Sequence, residues 1–136
     1  QTVGGPLIDL TQVLLGLSNF DDRVEFYQTL GLRLIVSARG EYARFEMPSG
    51  STTFSLYLKD APILGNTVLY FEVDDVDRSY AELLEKGVKF DCPPTDQIYR
   101  WRTARFRDPS GNQLCLFHAG LDRRFPPWRL EQDPAA

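Results

Sequence analysis

The sequence predicts an α+β fold of two tandem βαβββ modules that form a curved mixed sheet around a cavity. The main observation is an internal repeat that aligns residues 12–20 with residues 68–76. Both segments are short apolar runs rich in strand formers, and a helix-start signal follows each of them. Because one helix covers one face of a sheet, each module leaves its other face free. The alternative fold is a ferredoxin-like sandwich with additional strands.

One helix is predicted after the first strand of each module. Asn19 and Asp75 stand where an N-cap accepts the first backbone hydrogen bonds. Gly31 and Gly87 are predicted to end the helices, because glycine adopts the left-handed conformation at low cost. Apolar residues at helical spacing predict the buried stripes. These are Phe20, Val24, Tyr27 and Leu30 in the first helix, and Val76, Tyr80, Leu83 and Leu84 in the second.

Three strand-like runs follow each glycine, with proline- and glycine-rich turns between them. They cover 32–37, 42–46 and 53–58 in the first module, and 88–91, 101–107 and 113–117 in the second. The sequence thus predicts a single domain over residues 1–136, made of four parts. These are a first module (10–58), a linker (59–66), a second module (67–118) and an Arg- and Pro-rich surface tail (119–136).

Composition excludes several classes of function. The 136 residues carry a formal net charge of −4, which argues against a nucleic-acid-binding protein. No apolar run approaches the roughly 20 residues of a membrane span, so no membrane partner is expected. No basic-then-apolar signal segment is seen, and we expect a reducing, cytoplasmic location. Cys92 and Cys115 do not make a disulfide framework, and the single histidine, His118, limits metal chemistry.

Strand alternation predicts which side chains lie on the sheet face that the helix leaves free. The predicted set is Gln12, Leu14, Ser55, Tyr57, Val68, Tyr70, Glu72, Cys115 and Phe117. Aromatic walls with a few polar groups are typical of a small-molecule pocket. The alternative is a face covered by a second subunit or by the tail. Glu72 is the one acid in the set and the one weak candidate for a catalytic base, whereas an arginine partner would give it a structural role.

Three ordered motifs carry a family resemblance. They are Phe26-Tyr27 followed by Leu30-Gly31-Leu32, then Phe71-Glu72-Val73-Asp74-Asp75-Val76, and then Phe106-Arg107-Asp108-Pro109-Ser110-Gly111-Asn112. The chain over residues 10–118 resembles the vicinal oxygen chelate superfamily. This superfamily includes glyoxalase I, extradiol dioxygenases, fosfomycin-resistance enzymes and bleomycin-binding proteins.

The resemblance implies where a metal would be bound. Catalytic members place histidine, glutamine or glutamate ligands on the first, fourth, fifth and eighth strands. The matching positions here are Gln12, Ser55 (with Tyr57 as the alternative), Val68 and Cys115. A catalytic site needs about three protein ligands, and this set offers one amide and one thiol. We therefore expect no metal and no cofactor, as in the metal-free branch that the chain resembles.

Two further ligand-binding residues are predicted in the arginine-rich stretch 99–129. An arginine recurs near Arg102 in the bleomycin-resistance-like proteins that the chain resembles, and guanidinium binds carboxylate or phosphate groups well. Trp101, like Tyr99 beside it, can stack on a planar ligand. The alternative is that these arginines are solvated on an edge strand and that the rings close the end of the sheet.

The leading hypothesis is a metal-independent protein that binds a small aromatic or anionic molecule, in resistance or sequestration. One alternative is a lyase, isomerase or dioxygenase with an atypical site. Another is a non-catalytic dimeric interaction module. The resemblance also implies a homodimer, since members of the superfamily often pair.

Overall fold

A computed structural model describes residues 10–58, 65 and 67–130. The chain divides into two compact units, Gln1–Ile63 and Leu64–Ala136. Each unit contains one helix and one four-stranded mixed sheet, so the predicted α+β fold with two βαβββ modules is confirmed. Apart from residue 65, the predicted linker lies outside the described residues. The end of the predicted tail, 131–136, lies outside them as well.

The first module follows the predicted element order. Its elements are β1 (Gln12–Leu17), α1 (Phe20–Thr29), β2 (Arg33–Ala38), β3 (Tyr42–Glu46) and β4 (Thr53–Leu58). The sheet order is β1-β4-β3-β2, with β1 parallel to β4 and the other pairs antiparallel. Tyr27 of α1 is fully buried against Phe45 and Phe54, with ring centroids 6.2 and 4.8 Å away. These three rings form the centre of the first core.

The second module repeats this topology. Its elements are β5 (Val68–Glu72), α2 (Val76–Glu85), β6 (Thr95–Asp96), β7 (Arg102–Arg107), β8 (Gln113–His118) and a 3-10 helix (Gly120–Arg123). The sheet order is β5-β8-β7-β6, with β5 parallel to β8. None of the helices within the described ranges is both long and apolar enough to span a bilayer.

The strand predicted at 88–91 is wrong. Phe90 makes only an isolated bridge to Phe106, and the edge strand β6 begins later, after two prolines. The backbone N–H groups of Asp91 and Cys92 both donate to the carbonyl oxygen of Arg105. Two donors on one acceptor break the regular ladder, because a strand pair alternates its donors and acceptors residue by residue.

The two helix starts differ. Asp75 caps α2 as predicted, and its carboxylate accepts a hydrogen bond from the Arg78 amide at 3.1 Å. Asn19 was expected to act in the same way and does not: its φ of 50° is left-handed, and its side chain makes no capping bond. Asparagine tolerates this conformation, so Asn19 serves as a turn residue instead. Leu84 is also wrong as a buried residue of α2, since 45% of its surface is exposed.

Gly31 and Gly87 end the helices as predicted. Their φ angles of 102° and 91° lie in the region that disfavours residues with a Cβ. The third sequence motif forms the turn before β8. The buried carboxylate of Asp108 accepts hydrogen bonds from the amides of Ser110 and Asn112 and from the Asn112 side chain, each at 2.9 Å. These bonds explain why that turn requires an aspartate.

Candidate functional site

Each sheet has one face under its helix and one opposite face, here called the helix-free face. In the first module Phe45 and Phe54 contact α1, so their strand neighbours Arg44 and Ser55 belong to the helix-free face. In the second module, the carboxylate of Asp77 in α2 binds Arg102, which places Arg102 on the helix side.

The first helix-free face contains a hydrogen-bonded cluster of Tyr42, Arg44 and Ser55. The Tyr42 and Ser55 hydroxyls share a bond of 2.9 Å, and the Arg44 Nε donates to the Tyr42 hydroxyl at 2.9 Å. Ser55 is fully buried. Its hydrogen bond, with a further contribution from the Arg44 charge, lowers the pKa of Tyr42 against the opposing effect of burial. Ser55 is therefore committed to its tyrosine partner.

The predicted residues Gln12, Leu14 and Tyr57 lie on the same face. The Gln12 side-chain oxygen accepts a hydrogen bond from Thr53 at 2.6 Å, and Leu14 is half exposed. The Tyr57 ring lies over Gly16, where an added Cβ would stand 2.9 Å from the ring. Gly16 thus gives Tyr57 the space to lie flat on the sheet.

The second helix-free face has an arginine at its centre. Strand pairing brings Tyr70, Cys115 and Arg105 side by side. An Arg105 Nη donates to the Tyr70 hydroxyl at 3.2 Å, and its guanidinium carbon lies 5.8 Å from the ring centroid. Cys115 is fully buried, and burial raises the pKa of its thiol. Metal binding requires loss of the thiol proton, and the raised pKa makes that loss more costly.

Four aromatic side chains form a layer beside Arg105, made of Tyr70, Tyr99, Trp101 and Phe117. Trp101 stacks on Phe117 with centroids 4.7 Å apart, and Tyr70 meets both rings edge-on at 5.7 and 5.5 Å. Tyr99 extends the layer, with its centroid 5.5 Å from that of Trp101. Val68, like Trp101, packs against the buried cluster of Cys115, Phe117 and Ala119. The layer brings the predicted residues Tyr70, Trp101 and Phe117 together.

Arg102 lies apart from these residues. It binds Asp77 at 2.8 and 3.0 Å and Asp96 at 2.9 Å, all on the helix side. The sequence predicted Arg102 as a ligand-binding residue, and Arg105 was not among the predicted residues. The two side chains lie on opposite faces of the sheet, because they are three positions apart in β7. The signal was present in Ala104 and Phe106, since apolar residues at even positions indicate that Arg105 faces the other way.

Glu72 is held by the start of the 3-10 helix. Its Oε2 accepts hydrogen bonds from the amides of Ala119 and Gly120 at 2.9 and 3.0 Å. Its Oε1 lies 3.7 Å from the Arg123 Nε, and His118 hydrogen-bonds to the Val73 carbonyl at 2.8 Å. Because both carboxylate oxygens have partners, the geometry favours a structural role over that of a general base.

The residues present do not fit a divalent metal ion. Val68 has no donor atom, Ser55 is bonded to Tyr42, and the Cys115 thiol is protonated at neutral pH. Strand pairing also sets Arg44 opposite Ser55 and Arg105 opposite Cys115, and their positive charges repel a cation. Within the described ranges, His, Cys, Asp and Glu form no group of three that could hold a metal.

Comparisons with known proteins agree with this architecture. Residues 9–116 match the profile of the Glyoxalase/Bleomycin resistance protein/Dioxygenase superfamily. A Bacillus subtilis (strain 168) protein named Uncharacterized protein YraH is 35% identical over 126 residues, covering 79% of this chain and 96% of that protein. An uncharacterized protein of Mycolicibacterium smegmatis is 29% identical over 116 residues, covering 85% of this chain and 97% of that protein.

Solved structures show the same fold. A glyoxalase/bleomycin resistance protein/dioxygenase from Nocardioides has a TM-score of 0.73 and 26% identity, covering 96% of this chain and 93% of that one. A lactoylglutathione lyase from Agrobacterium tumefaciens has a TM-score of 0.71 and 17% identity, covering 93% of this chain and 100% of that one. With the profile match spanning most of the sequence, the chain belongs to the Glyoxalase/Bleomycin resistance protein/Dioxygenase superfamily.

Proposed function

We propose that this protein binds a small organic molecule without a metal ion and holds it without converting it, in the manner of resistance or sequestration proteins. The observation that carries the proposal is the donor set at the four positions where catalytic members place ligands. Those positions hold an amide, a bonded hydroxyl, an alkyl group and a protonated thiol. Metal-dependent polarisation of a substrate requires about three ligands and an open position.

The chemistry of the helix-free faces supports binding rather than turnover. Glu72 is engaged by two amides and approached by Arg123. Cys115 is buried, with a thiol whose pKa is raised by burial, so it is a weak nucleophile. In the second module the aromatic layer instead provides broad apolar contact, and Arg105 provides fixed charge. Such a combination orients a ligand without supplying a base or an electrophile.

Elemental analysis and thermal unfolding test this proposal. Protein purified without chelator should contain far less than one equivalent of zinc, nickel, manganese or iron. Its melting temperature should not change with EDTA or with added divalent ions, whereas small aromatic compounds should raise it in the presence of EDTA. Gln12→Ala is the matched variant, because Gln12 offers the best remaining donor; its metal content should equal that of the wild type.

Stoichiometric metal in the wild type, reduced in Gln12→Ala, would overturn the proposal. Turnover of a substrate that depends on that metal would point to the lyase or dioxygenase alternative instead.

A further inference from the structure

We infer that the helix-free face of the second module binds planar aromatic carboxylates, with Arg105 as the anchor of the charged group. This inference deepens the proposed function and rests on it. It concerns the chemical class of the ligand and the residue that selects it. Three features of the second module support it: an arginine without an acidic partner, an adjoining aromatic layer and a constrained loop that presents that layer.

The first feature is the charge of Arg105. Its strand neighbours Arg102 and Arg107 each bind a carboxylate, from Asp77 and Asp91 respectively. Among the residues that the structure describes, Arg105 has no carboxylate within ion-pair distance, and its side chain donates to the neutral Tyr70 hydroxyl. The guanidinium has five donors and is only partly exposed. It therefore retains donors for a bidentate carboxylate, which is the geometry that guanidinium favours.

Space for an anion lies next to Arg105. A groove of about 490 Å³ is lined by Arg105 itself, by Phe106 and otherwise by polar or small residues. These include Cys92, Arg107, Gly111 and Gln113. The acid in this lining, Asp91, is bound by Arg107 at 2.9 and 3.1 Å. The local charge around the groove thus favours a negative group.

The aromatic layer provides the second half of the recognition. Tyr70 and Tyr99 are 41% and 38% exposed, so their rings still have surface to offer. Trp101, which both tyrosines contact, is itself stacked on the buried Phe117 ring. Tyr70 contacts both Arg105 and Trp101, which places an apolar wall directly beside the cation. A planar ring that carries a carboxylate matches this pair of features.

The loop that carries Tyr99 and Trp101 is constrained. Arg100 has a φ of 72°, a left-handed value that costs energy in a residue with a side chain. Its Nε lies 3.4 Å from Asp122, and its amide donates to the Gln97 carbonyl. The Gln97 side chain in turn donates to Thr103 at 2.9 Å. These contacts hold the two rings in place before a ligand arrives, which lowers the entropic cost of binding.

Within residues 10–58, the first module has a similar arginine but lacks the adjoining aromatic layer. Arg44 occupies the equivalent place, opposite Ser55 on the last strand, and likewise binds a tyrosine hydroxyl. In the described part of the first module, however, no stacked aromatic layer adjoins this arginine. An aromatic anion therefore gains more contact beside Arg105 than beside Arg44.

Calorimetric titration with 2-naphthoate and its neutral isostere 2-naphthamide, both in EDTA, tests the inference. The wild type should bind the acid at least about tenfold more tightly than the amide, as expected for hydrogen bonds to a charged group. Arg105→Gln should remove this difference, and Arg105→Lys should restore part of it. Trp101→Leu should weaken both probes. Arg102→Gln is the matched control on the same strand and should leave both affinities unchanged.

Equal binding of acid and amide would overturn the inference and leave the metal-independent function standing. Loss of acid binding in Arg44→Gln but not in Arg105→Gln would also overturn it, by moving the anchor to the first module. Failure of both probes to bind up to millimolar concentration would reject aromatic carboxylates as the ligand class. Binding only after a divalent ion is added would overturn the proposed function itself.

Discussion

Arg44 and Arg105 hold equivalent positions in the two modules, each opposite the middle of the last strand. Those last-strand residues, Ser55 and Cys115, are fully buried and small. A glutamate at either place would suit a cation, whereas a small neutral residue leaves room for the arginine that pairs with it. At each of these two positions the paired residue on the neighbouring strand is an arginine, so the local charge is positive.

The hydrogen bonds of the Tyr42 hydroxyl lead to a prediction about the stability of the first module. Replacing Tyr42 with Phe removes the partner of the buried Ser55 hydroxyl and one contact of Arg44. An unsatisfied buried polar group costs about 1–3 kcal/mol. Tyr42→Phe should therefore lower the free energy of unfolding by that amount in urea titrations. Tyr57→Phe is the control, because the Tyr57 hydroxyl makes no hydrogen bond within the described residues, and its free energy of unfolding should stay near the wild-type value.

The opposite ranking, with Tyr57→Phe the more damaging change, would show that the Tyr42–Ser55 bond does not stabilise the first module.

Residues close to each end of helix α2 determine where the helix begins and ends. Its start is fixed by the Asp75 carboxylate and its end by Gly87. At the C-terminal end of β5, just before α2, Glu72 accepts hydrogen bonds from the amides at the start of the 3-10 helix and ties that helix to the sheet. The segment after β8 is therefore held by a side chain from a strand far away in sequence.

The cap of α2 gives a prediction at this scale. Asp75→Ala removes the acceptor of the Arg78 amide, and the loss of an N-cap costs about 1 kcal/mol. Denaturant unfolding should show this loss. Asp74→Ala, at the exposed neighbouring position, should leave the stability within about 0.5 kcal/mol of the wild type. Equal effects of the two substitutions would contradict the capping role.

At the scale of the whole molecule, the same scaffold is used twice with different chemistry. The first helix-free face is a polar cluster around Tyr42, and the second is an aromatic layer around Trp101. The homodimer expected from the sequence stays a prediction. In the second module, Arg102 joins α2, β6 and β7 through Asp77 and Asp96, so its ion pairs link three elements.

This ion-pair cluster predicts a pH dependence of stability. The hydrogen bond from Arg102, aided by its charge, lowers the pKa of Asp77 from its ordinary value of 3.8. The stabilisation is then complete above the unfolded pKa and is lost as the pH falls through the lower folded value. The difference in melting temperature between wild type and Asp77→Asn should be constant from about pH 7 to pH 5 and shrink in more acidic buffer.

The Arg102→Gln background provides the control for this measurement. Asp77→Asn made in that background should show a much weaker pH dependence, because the partner is gone. A pH dependence of the same size in both backgrounds would assign it to another carboxylate.

Much of the fold could be predicted from the sequence because its signals are local. The two glycine helix ends, the Asp75 cap and seven of the eight predicted strands depend on residues within a few positions of each other. The strand at 88–91 was wrong for a reason that no local pattern contains. Phe90 packs between Tyr80 and Phe106, and the edge pairing passes to Thr95 and Asp96.

The sequence by itself determined that two βαβββ modules form, since strand alternation, helix spacing and turn residues are properties of short segments. Only the tertiary structure showed that Arg102 is bound by Asp77 and Asp96, and that Arg105, among the described residues, has no carboxylate partner. It also showed that Glu72 is held by the backbone amides of Ala119 and Gly120, which lie 47 and 48 residues further along the chain. Register between strands and hydrogen bonds over such separations depend on packing of the whole module, which no single segment encodes.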